Sequence, residues 1–94
     1  MKSIVLYYQE QSDLNTTSAV TKMKSDLKKE KGDDCTIYVD KQNVYEKLMY
    51  LITEELNSID VVYIYSRNNI RDDFYWDLLV QSAKADNVVI MVYT

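Results

Sequence analysis

The chain has 94 residues, 47% of them apolar, with one Gly, no Pro, no His, one Cys and a formal net charge of −4. That is the length of one domain, with enough apolar content for a single core. The composition excludes glycine-rich nucleotide loops, an internal disulfide, a cysteine-rich or common zinc site, and any histidine-assisted nucleophile. An acidic chain also lacks the electrostatic footprint of a duplex-DNA binder.

In chain order, Ser3–Tyr8 (SIVLYY) is a continuous apolar run, the pattern of a strand covered on both faces. The polar stretch Gln9 to Thr17 reads as a loop, and a helix follows from about Thr17 to Lys31 with Ala19, Val20, Met23 and Leu27 on one side. Gly32 is its stop signal. The lysines Lys22, Lys24, Lys28, Lys29 and Lys31 alternate with Asp26, Glu30, Asp33 and Asp34, which marks a solvated helix face. Cys35–Val39 (CTIYV) is a second strand, with Cys35 a small hydrophobe at its head. Asn43 to Leu56 is a helix whose stripe is Val44, Leu48, Leu51, Ile52 and Leu56, broken by Asn57-Ser58. Val61–Tyr65 is a third strand, Asp72–Ala85 a third helix with Asp72 or Asp73 at its cap, and Val88–Tyr93 (VVIMVY) a fourth strand.

Strands alternating with helices predict right-handed crossovers and a small three-layer α/β/α domain around a four-stranded, mostly parallel sheet. Sites in such sheets lie at the carboxyl ends of the strands. Here that rim comprises residues 9–12, 40–43 and 66–69. No segment is long enough to span a membrane and none reads as a signal peptide, so the expectation is a cytoplasmic protein with no membrane partner.

The third helix is apolar around most of its circumference. Phe74, Leu78 and Ala85 form one lobe, and Tyr75, Trp76, Leu79, Val80 and Ala83 extend it, leaving Asp73, Asp77, Gln81 and Lys84 as the polar arc. That arc is wider than a helix needs to face one core. Either the helix is wedged between sheet and neighbours, or part of it meets another chain. On the second alternative Tyr75, Trp76, Leu79, Val80 and Ala83 are the interface and Trp76 its anchor. The partner is then a protein, with a second copy of the chain among the options.

Three segments resemble the N-terminal catalytic domain of serine recombinases, the resolvase/invertase family. "SIVLYYQEQSD" is similar to its first strand, "CTIYVDKQN" to its second, and "IDVVYIYSRNNIRDDFYWDLL" to its third strand and following helix; the closing "ADNVVIMVYT" resembles the next strand. The resemblance implies a resolvase-like sheet in the order 2-1-3-4, and an origin in a phage or other mobile element. It also implies a site built from a nucleophilic serine and several arginines at the rim, since phosphoryl transfer depends on positioning and charge stabilisation.

Residue by residue the family's pattern is degenerate and truncated. With Tyr7 matched to the motif tyrosine, Gln9 stands at the first arginine and Gln11 at the serine. Ser12 is one place late, and a slip of one residue on a strand reverses the facing. Asp40 matches the acidic residue, but the Ser-Gly and arginine expected after it are replaced by Lys41-Gln42-Asn43-Val44. Arg67 matches an arginine, Ser66 stands where many members have Asp, and Arg71 is one position beyond the second arginine. The resemblance therefore points to a pseudoenzyme: a non-catalytic recombinase-like module, without cofactor or metal and without direct duplex-DNA binding. It would regulate a recombinase or block a host factor through a protein interface. Ser12, Asp40, Arg67 and Arg71 are its vestigial catalytic positions. The alternative is a minimal serine recombinase or nuclease acting through Ser12 with Arg67 and Arg71. Arg67 itself has two readings, an ion pair with Asp40 or a helix-terminal carboxylate, or an anion site with Arg71. A phosphate-responsive receiver domain fits poorly, because Glu10, Asp13, Asp40 and Lys84 are misplaced for it.

Overall fold

A computed structural model of the chain describes residues 3–11, 15–31 and 35–93; of residues 27–31 and 35 it describes only the backbone. Strand β1 is Ile4–Gln9, helix α1 Thr16–Lys31, β2 Cys35–Asp40, α2 Glu46–Tyr50, β3 Val61–Ile64, α3 Asp73–Ala85 and β4 Val89–Val92. All pairings are parallel, in the order β2-β1-β3-β4.

The order follows from burial. Every residue of β1 is buried, so β1 must be an inner strand. β3 is buried throughout and lies beside it. Val5, Tyr7, Val62 and Ile64 pack on one face with Leu48, Leu51, Leu56, Leu79 and Ala83. Ile4, Leu6, Tyr8, Val61 and Tyr63 pack on the other with Ala19 and Met23. Helices α2 and α3 thus share one face and α1 covers the other, which completes the three layers. A right-handed crossover produces this arrangement, because the chain reverses direction across the sheet after β2.

Helix starts are defined by short polar side chains. Asn15 Oδ1 accepts from Ser18 N at 2.9 Å, so α1 begins at Thr16. Asp72 Oδ1 accepts from Phe74 N at 2.9 Å, so Asp72 caps α3 and Asp73 lies in its first turn. Both satisfy amides that have no intrahelical partner. Gly32, expected as the stop of α1, lies outside the described residues.

The second helix differs from the continuous Asn43–Leu56 expected. Residues 41–44 form a turn in which Val44 N donates to Lys41 O at 2.9 Å and Asn43 takes φ 62°. The α-helix begins only at Glu46, widens to a π turn over Leu51–Glu55, and ends as a 3₁₀ turn over Leu56–Ser58. The cause is the spacing of its leucines. On a regular helix Leu56 would sit about 140° away from Leu51. In the wider π turn, Leu56 N bonds Leu51 O and both side chains enter the same core.

Candidate functional site

The carboxyl-end rim is built from the last residues of β1 and β2 and from the 3₁₀ turn Arg67–Asn69 that follows β3. Asp40 ends β2 with its side chain facing Tyr7, and the Tyr7 hydroxyl donates to Asp40 Oδ2 at 2.7 Å. The same carboxylate accepts from Lys47 N at 2.9 Å and Leu48 N at 3.1 Å. Tyr45, the residue before α2, makes no side-chain cap. Asp40 supplies that cap from a neighbouring element, and its negative charge sits at the positive end of α2.

Gln9 is the second fixed point. Its Nε2 donates to Val44 O at 3.0 Å and more distantly, at 3.5 Å, to the Tyr7 hydroxyl, while its Oε1 accepts from Asn43 N at 3.3 Å. Its backbone is held from the other side. Asn69 Oδ1 accepts from Gln9 N at 2.8 Å and Asn69 Nδ2 donates to Gln9 O at 2.9 Å. The Asn69 amide therefore continues the β1 ladder two residues beyond its last pairing with β3, Tyr7↔Ile64, taking the place of a strand backbone. Gln9, Asp40 and Asn69 are all buried. A buried polar group that lacked these bonds would be costly, so the network is a condition of folding.

Arg67 is turned back onto its own segment. Its guanidinium donates to Ile70 O at 2.8 Å and to Asp73 Oδ1 at 2.7 Å, and it lies 4.6 Å from the centre of the Trp76 ring. The helix-terminal carboxylate of the two expected pairings is thus the one formed, and Asp40 is occupied by Tyr7 and the α2 amides. Arg71 is exposed. Gln11 is half-buried, and Ser12 lies outside the described residues.

The Tyr7 hydroxyl has its pKa raised well above the tyrosine range. Burial is the main cause, followed by the hydrogen bond to Asp40 and the charge of that carboxylate. It is an anchored donor and a poor nucleophile. Among the described rim residues, the polar side chains of Gln9, Asp40, Asn69 and Arg67 are all spent on internal bonds.

The aromatic surface lies on α3. Leu79 and Ala83, expected at an interface, are in the core. The reason is that this stripe of α3 closes the core cluster formed with Leu51, Val62, Ile64 and Val88. Tyr75, Trp76 and Val80 are half-buried, and Phe74 is 66% exposed. Tyr75 stacks on Tyr45 with centroids 4.0 Å apart and planes within 5°, and Phe74 meets Tyr75 edge to face at 5.3 Å. This ties the start of α3 to the approach to α2.

Sequence reasoning passed over Gln9 as a hub and Asn69 as a clamp. The available signal was position: each is a carboxamide just beyond an apolar strand, where a strand end leaves backbone groups to satisfy. No cluster of acidic or cysteine side chains suited to a metal ion occurs among the described residues. No described helix is long and apolar enough to cross a membrane. Comparison of the chain with protein-family models, with curated proteins and with solved structures returned no match.

Proposed function

We propose that this chain is a non-catalytic, recombinase-like protein-binding module, an accessory protein of a phage or other mobile element, that regulates a recombinase or blocks a host factor through a protein interface. The observation that carries the reading is the commitment of the rim: Arg67 is spent on Asp73, Ile70 and the Trp76 ring, while Gln9 and Asp40 are spent on the turn and helix of residues 43–48. A scaffold with such a rim works through its surface. The surface it offers is the first turns of α3, where Phe74 is exposed beside Tyr75 and Trp76. Large aromatic side chains with little left to lose in rotamer freedom are the usual anchors of protein interfaces.

The test joins binding with chemistry. A bound partner should lose about 30-fold or more in affinity when Trp76→Arg or Phe74→Ala is introduced, the loss typical of an anchor residue. The circular dichroism of both variants should match that of the parent. Incubation with supercoiled plasmid should give no nicking. A covalent protein–DNA adduct would overturn the reading in favour of chemistry at Ser12.

A further inference from the structure

We infer that β4 is a self-pairing edge, and that two copies of the chain join antiparallel through β4 into one continuous sheet. The surface is separate from the aromatic start of α3 and does not depend on the function proposed above.

Among the described residues no strand lies beyond β4. Sheet edges in soluble proteins are ordinarily blunted by a charge, a proline, a bulge or a covering segment. Residues 88–93, Val-Val-Ile-Met-Val-Tyr, have no charge and no proline. The pairing with β3 runs without a bulge from Val61↔Val89 to Ile64↔Val92. Val89 and Val92 are 57% and 46% exposed, and they project to opposite faces. On the α1 side, the single helix packs near β1 and leaves Val89 uncovered beside the half-buried Met91 and Tyr93.

Backbone parity identifies the partner as a strand. Val89 N donates to Asp60 O and Tyr93 N to Ile64 O, both at 2.9 Å. Residues two apart in a strand direct their amides the same way. Ile90 and Val92 therefore turn their N–H and C=O groups outward, with no β3 partner. Val88 N is already committed to Ala83 O at 2.8 Å, so the outward donors of the strand are Ile90 and Val92.

Those two donors favour one register between two copies. Placing Ile90 opposite Val92 of the second copy lets the pair exchange both backbone bonds, and the two-fold axis repeats the exchange. Met91 then meets Met91 across the axis, and Val89 meets Tyr93. Every side-chain pair so formed is apolar, on both faces, and an isologous contact closes at the dimer. A charged or basic strand would find nothing to pair with along this edge. The chain's own β4 supplies the neutral, apolar, alternating strand that it fits.

Net charge adds a signature. Each copy carries −4, so the copies repel at long range while the interface itself holds no charge. Added salt should screen the repulsion and strengthen the dimer.

Sedimentation of the whole chain across a concentration series tests this, with hydrogen exchange read at single amides. The expected result is a mass that doubles as concentration rises, more readily at high salt. The Ile90 and Val92 amides should become protected in step, whereas the Val89 and Tyr93 amides are protected at every concentration. Val89→Lys and Val92→Lys, both at exposed positions, should restore the monomer with an unchanged fold, while Trp76→Arg should leave the dimer intact. A chain that stays monomeric up to about 1 mM, the weak end of specific association, overturns the inference. So does a dimer that survives both lysine variants, or one in which Ile90 and Val92 exchange freely.

Discussion

The Tyr7 hydroxyl and the Asp40 carboxylate, 33 residues apart in the chain, meet at 2.7 Å inside the sheet rim. The contact sets the end of β1 against the end of β2 and aims Asp40 at the amides of Lys47 and Leu48. One buried carboxylate thus closes a strand pair and opens a helix.

Removing that carboxylate should be expensive. Asp40→Ala leaves the Tyr7 hydroxyl and two helix amides without an acceptor, at a cost of about 3 kcal/mol in urea unfolding. Tyr7→Phe removes one donor and leaves the amides capped, so about 1–2 kcal/mol is expected. Equal losses from the two would show that the carboxylate does not cap α2.

Tyr7 also predicts alkaline behaviour. Burial and Asp40 hold its pKa above the ordinary 10.0. The protonated hydroxyl therefore stabilises the fold fully below about pH 10, where an unfolded tyrosine titrates, and that contribution is lost as pH rises beyond it. Urea midpoints followed from about pH 8 to about pH 11 should fall more steeply above pH ~10 in the parent than in Tyr7→Phe. The difference in slope should approach about 1.4 kcal/mol per pH unit.

Asn69→Asp is nearly isosteric and should still be damaging. It removes the donor to Gln9 O and places a carboxylate in a buried position. A loss of about 2–3 kcal/mol is expected, or roughly 8–20 °C in melting temperature for a domain of this size. A variant that melts with the parent would mean that the carboxamide ladder does not hold the rim.

Arg67 makes a contrasting case. Its ion pair with Asp73 is exposed, so Asp73→Ala should cost under about 1 kcal/mol. Arg67→Ala also loses the bond to Ile70 O and the contact with the Trp76 ring, and should cost more and change the tryptophan emission. Arg67→Lys should not recover the parent value, because a point charge cannot reproduce the planar fork.

The sequence carried the periodicities. An apolar run without polar alternation marked β1 as a strand covered on both faces, and the alternation of strands with helices pointed to a mostly parallel sheet, while the 2-1-3-4 order was an implication of the resemblance to serine recombinases. Strand ends are matters of one residue: β1 extends to Gln9 and β2 to Asp40, because each polar terminal residue found partners in another element. The rim was visible only as a set of positions. Which carboxylate would take which cation, and whether Gln9 would face inward, depended on distances between residues far apart in the chain. The same holds for α3, where the breadth of the apolar arc was legible but its division was not. Leu79 and Ala83 went to the core and Phe74 to solvent because the helix can press only one stripe against a flat sheet. Local pattern determined the elements, whose hydrogen bonds and burial repeat along the chain. Tertiary packing alone decided the use of each polar and aromatic side chain, because a buried group takes the partner that the fold brings within hydrogen-bonding reach.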